Sequence, residues 1–162
     1  EIEHLDQQGI AWEVVPGCTS ATAVLTAAGF PLTRHGQGRS FAVATARVEG
    51  GGLPDAFARA DSLVVLMGVD VLDQVVDRLL ADGWPPQTPA AVIERGTLPG
   101  ERRVTAPLAE LPSMAARAAV ASPALILVGH AARQIAAFGA RRPTLLTAPR
   151  PSTPLSTSVG LT

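Results

Sequence analysis

Residues 63–83 read LVVLMGVDVLDQVVDRLLADG, and they predict a buried strand followed at once by an amphipathic helix. The apolar run from Leu63 to Met67 has no polar alternation, which is typical of a strand covered on both faces. Asp70 then offers an N-cap, and apolar side chains recur at helical spacing until Gly83. A strand that leads directly into such a helix indicates an α/β domain.

The same alternation of strands and helices extends on both sides of this unit. The further predicted strands are residues 9–15, 41–46, 90–93, 102–105 and 124–128. The further predicted helices are residues 21–28, 54–60, 114–120 and 130–138. The pattern predicts a mostly buried sheet flanked by helices. Residues 141–162 hold four prolines and many Ser and Thr residues, so we expect a disordered tail there.

The composition excludes several classes of function. The chain has 162 residues, is 47% hydrophobic and 17% charged, and carries a net charge of −1. It therefore lacks the basic surface that nucleic acid or an anionic membrane requires, and we expect neither as a partner. The three histidines are far apart in sequence, so no metal site is expected.

Cys18 is the single cysteine, which excludes an intrachain disulfide and a thiolate metal cluster. A reducing, cytoplasmic setting is the simplest interpretation. We interpret Cys18 as a small buried residue at a strand–helix turn rather than as a nucleophile.

Three loops follow predicted strands, namely residues 16–20, 67–69 and 94–97. Ligands of open α/β sheets bind beyond the carboxyl ends of strands, so these loops point to a small-molecule site. Taken singly their residues are ambiguous. Thr19 and Ser20 are helix caps or ligand-binding hydroxyls, Met67 is core filler or a ligand contact, and Gly96 belongs to a turn.

Five segments, taken together, resemble the tetrapyrrole methylases that use S-adenosylmethionine. In order they are residues 14–21 (VVPGCTSA), 28–33 (AGFPLT), 63–68 (LVVLMG), 92–97 (VIERGT) and 122–129 (SPALILVG). The resemblance covers residues 9–138, and its strength lies in the order and spacing of the five segments.

The resemblance implies the fold of a class III methyltransferase, in which two α/β domains enclose a cleft. It assigns residues 1–18 to the end of the first domain and a linker, and residues 19–140 to the C-terminal domain. The catalytic residues would then lie in a half that precedes Glu1. We accordingly expect the isolated chain to be inactive and to bind the methyl donor weakly. The family also implies a homodimer.

The resemblance carries over to individual positions. For S-adenosylmethionine it implies Thr19, Ser20, Met67 and Gly96, with Met67 also facing the substrate. For the substrate carboxylates the family has His-Arg after Pro-Leu-Thr, whereas this chain has Arg34-His35. Where the family has Thr-Gly-His, this chain has Thr-Ala followed by Arg47, which could supply the missing positive charge.

The implied reaction is methyl transfer from S-adenosylmethionine to ring carbons of uroporphyrinogen III, on the branch to sirohaem and cobalamin. Two alternatives remain open at this stage. One is methylation of another precorrin or corrin at a different ring position. The other is a non-catalytic α/β binding or assembly module that shares the fold.

Overall fold

The computed structural model describes residues 1–138, with side chains up to residue 135. The helices are α1 (Ile2–Gln7), α2 (Ser20–Ala27), α3 (Leu72–Ala81), α4 (Leu111–Arg117) and α5 (His130–Phe138). The strands are β1 (Phe41–Thr45), β2 (Ser62–Leu66), β3 (Pro89–Glu94), β4 (Arg102–Pro107) and β5 (Ala124–Gly129). Single 3-10 turns precede α3 and α4. The predicted tail, residues 141–162, lies outside the described residues.

The five strands form one mixed sheet in the order β1-β2-β5-β3-β4. β1 and β2 are parallel, and β5 runs antiparallel to both of its neighbours, β2 and β3. It follows that β1, β2 and β3 all point the same way, and their carboxyl ends meet at one edge of the sheet. β4 pairs antiparallel with β3 at the other side. The predicted α/β class is confirmed.

Helices cover both faces of this sheet. Side chains alternate across a strand, so Leu63 and Val65 of β2 pack with α3 and α4, while Val64 packs with α2 and α5. All three side chains are fully buried. The continuous apolar run in the sequence is explained by this double burial. No helix within residues 1–138 is long and apolar enough to cross a membrane.

The predicted strand–helix unit is confirmed in β2 and α3, but the predicted role of Asp70 as N-cap is wrong. Asp70 lies inside the 3-10 turn Val69–Val71, and the N-cap of α3 is Val71, whose side chain forms no capping bond. The Asp70 carboxylate instead accepts a hydrogen bond from Ser122 Oγ, at 3.3 Å. The carboxylate that the local sequence pattern predicted as a helix cap is therefore bonded to a residue distant in sequence.

Two predicted elements are absent. Residues 9–15 form no strand, because no neighbouring strand pairs with them and their apolar side chains, such as Val15 at 80% exposure, face solvent. Residues 54–60 form no helix, because two long-range contacts hold them in an irregular path. The Phe57 N–H donates to Asp82 Oδ2 at 2.9 Å, and the Arg78 guanidinium donates to the Asp55 carbonyl.

Two helices differ from the sequence prediction. α1 was not expected, and it contains no buried residue. α4 lies three residues earlier than predicted, because Pro112 suits a helix start and Ala119 adopts a left-handed φ of 48° after the last turn. Arg102 then donates to the carbonyls of Ala118 and Ala119, at 2.8 and 2.9 Å. These bonds satisfy acceptors that a longer helix would have used itself.

Candidate small-molecule site at the carboxyl edge of the sheet

The turns after β2 and β3 both lie at the carboxyl edge of the sheet, on either side of the start of β5. A cavity of about 640 Å³ opens between them, the start of α2 and the start of β5. Its lining is Ser20, Val24, Leu66, Met67, Ile93, Arg95, Gly96, Thr97, Leu98, Ser122, Pro123, Ala124 and Leu125. Both the volume and the mainly apolar lining are typical of sites for small organic molecules.

Met67 is presented to this cavity by an unusual backbone. It follows β2 with a φ of 56°, a left-handed conformation that costs a residue with a Cβ roughly 1–3 kcal/mol. The side chain is 57% exposed, so it is not the core filler that a methionine usually is. A flexible thioether held at the cavity wall can pack against a flat or sulfur-bearing ligand without exchanging protons.

Gly96 allows the second turn to approach α2 closely. A Cβ built at this position would lie 2.7 Å from Val24 Cγ2 and nearer still to Val24 Cγ1. On either side of it, Arg95 and Thr97 have left-handed φ values of 51° and 69°. Only glycine therefore fits here, and its backbone forms part of the cavity wall.

The start of α2 contributes Ser20 to the cavity lining. Thr19 is the N-cap of this helix, since its Oγ1 accepts from the Ala21 N–H at 3.3 Å. The predicted cap is confirmed, whereas Thr19 itself is not among the residues that line the cavity. The structure therefore brings together Ser20, Met67 and Gly96, three of the four positions expected to contact the methyl donor.

A carboxylate behind the cavity holds the turn that contains Gly96. Glu101 Oε2 accepts the Thr97 N–H at 2.8 Å, and Glu101 Oε1 accepts Arg103 Nε at 2.6 Å. The side chains of Glu101 and Arg103 are only 11% and 14% exposed. Arg103 in turn lies 5.5 Å from the centre of the Phe30 ring. Glu101 therefore holds a strained turn in place, although the sequence did not indicate a role for it.

Glu94 is a second residue that sequence reasoning did not identify as important. It ends β3, is 7% exposed, and pairs with Arg102 directly opposite on β4. Because Arg102 also donates to the carbonyls that follow α4, this pair connects β3, β4 and the end of α4. The signal was available in the sequence only as an acidic residue at a strand end.

Arg47 lies at the same edge of the sheet, after β1. Its guanidinium is 67% exposed and is 3.8 Å from Asp70 Oδ2. Since Asp70 also accepts from Ser122, which lines the cavity, Arg47 is positioned beside the site but not in it.

Arg34 and His35 lie at the opposite edge of the sheet. Arg34 pairs with Gly38 in an isolated bridge, and His35 lies near Asp61, which immediately precedes β2. The five residues of β2 separate this region from Met67 by about 16 Å. The structure thus does not bring Arg34 and His35 together with the other candidate site residues.

Two further expectations can be compared with the structure. The interpretation of Cys18 as a buried residue is wrong, because its side chain is exposed in the irregular segment before α2. Within the described part of the chain, no group of three or more His, Cys, Asp or Glu residues could hold a metal ion.

The sheet order and the apolar cavity define an α/β domain with a candidate small-molecule site at the carboxyl edge of its sheet. The family model of the Tetrapyrrole (Corrin/Porphyrin) Methylases matches residues 1–112. The chain belongs to this family.

Two curated relatives give the scale of the similarity. A siroheme synthase of Gluconacetobacter diazotrophicus is 43% identical over 138 residues, which are 82% of this chain and 29% of that protein. The chloroplastic S-adenosyl-L-methionine-dependent uroporphyrinogen III methyltransferase of Arabidopsis thaliana is 36% identical over 80% of this chain and 37% of that protein. The chain therefore spans about a third of the length of these relatives.

Solved structures agree with the fold. Uroporphyrin-III C-methyl transferase from Thermus thermophilus, in complex with S-adenyl homocysteine, matches with a TM-score of 0.71 and 41% identity, over 82% of this chain and 59% of that one. Cobalt precorrin-4 methyltransferase matches with a TM-score of 0.69 over 81% of this chain and 57% of that one. At 22% identity, the second likeness shows the fold alone.

Proposed function

We propose that this chain supplies one wall of the active site in an enzyme that methylates uroporphyrinogen III with S-adenosylmethionine as the donor. The observation that carries the proposal is the convergence of Ser20, Met67 and Gly96 on one cavity at the carboxyl edge of the sheet. These three positions lie far apart in sequence and in three different elements.

The comparisons favour uroporphyrinogen III over a later corrin intermediate. Relatives named for sirohaem synthesis or uroporphyrinogen III methylation are 36–43% identical to this chain, whereas the cobalt precorrin-4 enzyme is 22% identical. A thioether and a close-packed glycine backbone also suit the sulfur and adenosine parts of the donor.

The chemistry of this wall is binding and positioning. Methyl transfer requires the donor sulfur, the methyl group and the acceptor carbon to lie in line, so fixing the donor lowers the barrier. Arg95 is the one titratable residue among those lining the cavity. An acid–base group for the ring therefore has to come from outside this cavity lining.

We propose that Arg47 attracts carboxylates of the substrate. It lies beside the cavity, where it contacts the Asp70 carboxylate that also bonds to Ser122 of the lining. Its contact with Asp70 is a long, exposed ion pair that contributes little stability. A substrate carboxylate can therefore displace Asp70 at small cost. Arg34 and His35 would need a second contact surface on the opposite edge, so Arg47 is the better-placed candidate.

The cavity in this chain is open on one side, so we expect weak donor binding and no turnover by the chain alone. NMR titration with S-adenosylhomocysteine detects binding too weak for calorimetry. Amide shifts should change at residues 20–24, 66–68 and 95–98 and leave residues 34–40 unchanged. Micromolar affinity would contradict the one-sided site, and shifts confined to other regions would overturn the proposed function.

The same titration tests the non-catalytic alternative. A binding or assembly module predicts no saturable shifts at the carboxyl edge with S-adenosylhomocysteine. A matched control is adenosine with no homocysteine group, which should bind more weakly because the contact with Met67 is lost. Equal affinity for the two ligands would remove Met67 from the proposed donor site.

We also propose self-association. We propose residues 19–140 as the C-terminal domain, of which residues 139–140 lie outside the described residues. β1 is an edge strand with Phe41 and Val43 45% and 47% exposed, and Trp12 in the preceding segment is 44% exposed. Exposed apolar side chains of this kind favour an interface. Sedimentation equilibrium should show a dimer that Val43→Glu dissociates.

The exposed thiol of Cys18 suits a reducing compartment such as the cytoplasm.

A further inference from the structure

A second cavity lies at the amino edge of the sheet, away from the proposed donor site. Its volume is about 620 Å³, and it opens between the segment before β2, the segment before β3 and the start of α5. Six polar or aromatic side chains matter for its chemistry: Arg59, Asp61, Trp84, Gln87, His130 and Arg133. Neither the residues nor the edge belongs to the methyl-transfer site.

The charge of this cavity is positive. Arg59 and Arg133 have no carboxylate within ion-pair distance among the described residues. Asp61 is the acidic residue of the lining, and one of its oxygens accepts the Arg39 N–H at 2.9 Å, the Ser40 N–H at 3.0 Å and the Ser40 hydroxyl at 2.8 Å. Because Asp61 forms no ion pair with Arg59 or Arg133, both guanidinium groups remain available to a ligand.

Trp84, at the wall of this cavity, has a buried hydrogen-bond donor without a partner among the described residues. The residue is 6% exposed, and its indole Nε1–H has no acceptor in the described part of the chain. Arg59 lies over the ring, 5.4 Å from its centre. A buried donor without an acceptor is unfavourable by roughly 1–3 kcal/mol, so such groups are uncommon unless a ligand or water completes them.

We propose that this cavity binds a small, multiply charged oxyanion, bearing either phosphate or carboxylate groups. Two arginine forks and an indole donor are the groups that recognise such oxygens, because guanidinium binds them in a bidentate manner. The length of β2 separates this site from Met67 by about 16 Å, so it acts apart from the methyl donor.

Fluorescence of Trp84 provides a direct test. The chain has two tryptophans, so Trp12→Phe leaves Trp84 as the single reporter. We expect pyrophosphate or citrate, titrated at constant ionic strength, to change the Trp84 emission with saturation at one site. Tighter binding of pyrophosphate identifies a phosphate ligand, and tighter binding of citrate identifies a polycarboxylate. Calorimetry on the unsubstituted chain should give the same stoichiometry.

Charge variants distinguish a built site from general attraction. In the same background, Arg133→Gln and Arg59→Gln should each weaken binding about tenfold or more, since a hydrogen bond to a charged group is lost. Arg117→Gln, an exposed arginine on α4, is the matched control and should leave the affinity unchanged. Absence of saturation with both anions, or equal weakening by Arg117→Gln, would overturn the proposal.

Discussion

The two edges of the sheet differ in how their backbone is used. At the carboxyl edge, Met67, Arg95 and Thr97 have left-handed φ values and surround an apolar cavity. At the amino edge, Asp61 and Ser62 accept backbone N–H groups from neighbouring elements. Strained residues cluster where ligands bind, and satisfied polar groups hold structure together. The same sheet therefore carries strained backbone around an apolar cavity at its carboxyl edge, and hydrogen-bonded polar groups beside a positively charged cavity at its amino edge.

The largest loss of stability should come from Gly96→Val, at the carboxyl edge. A side chain here overlaps both γ-carbons of Val24, and overpacking of this kind destabilises by roughly 1–3 kcal/mol or more. Urea unfolding should show the loss of stability, and NMR titration should show loss of S-adenosylhomocysteine binding.

A control and a rescue make this prediction specific. Gly17→Ala meets no atom within 4 Å and should leave the free energy of unfolding unchanged. Combining Gly96→Ala with Val24→Ala should cost less than the sum of the two single changes, because the overlapping atoms are removed. Additive effects would mean that the cost of a side chain at Gly96 does not arise from its contact with Val24 of α2.

Ser62→Ala should give the next largest effect, at the amino edge. The buried hydroxyl donates to the Leu32 carbonyl at 3.2 Å and accepts the Ala131 N–H at 3.1 Å. Removing it leaves two backbone groups without a partner, which costs about 1–2 kcal/mol. Ser113→Ala, which removes an exposed hydroxyl on α4, should change the unfolding free energy by less than about 0.5 kcal/mol. Equal effects of the two changes would contradict the structural role of Ser62.

Elements that are determined by neighbouring residues could be predicted from the sequence. The apolar run of β2, the periodicity of α3 and the loops at the carboxyl edge all follow from neighbouring residues. The general rule about strand ends was enough to place Met67 and Gly96 at a common site.

Elements that depend on distant partners could not be predicted. Residues 9–15 have a strand-like pattern, but the pattern does not reveal whether another strand pairs with them. Phe57 is held by Asp82, 25 residues away, so no local signal marks its irregular path. Likewise, nothing in the order Arg34-His35 indicates the edge of the sheet on which these residues lie.

A smaller change in stability is expected from Met67→Gly, which tests the backbone strain at the carboxyl edge. Glycine relieves about 1–2 kcal/mol of left-handed strain, while greater freedom of the unfolded chain offsets about 0.4–1 kcal/mol. The free energy of unfolding should therefore stay unchanged or rise slightly, while S-adenosylhomocysteine binding weakens. Leu98 lines the same cavity but does not have a positive φ, so Leu98→Gly should only lower the free energy of unfolding. If Met67→Gly lost as much stability as Leu98→Gly, the backbone at Met67 would not be strained.

The smallest effect should come from Asp61→Asn, and its size depends on pH. The Arg39 N–H first, then the hydroxyl and N–H of Ser40, lower the pKa of Asp61 below its ordinary value of 3.8. A lowered pKa in the folded state means that stabilisation is complete above the unfolded pKa and is lost as the pH falls through the folded one. The difference in unfolding free energy between wild type and Asp61→Asn should stay constant from pH 7 to 5 and shrink below about pH 4. A difference that persisted unchanged to the acid limit of folding would show that the charge of Asp61 does not secure the amino edge.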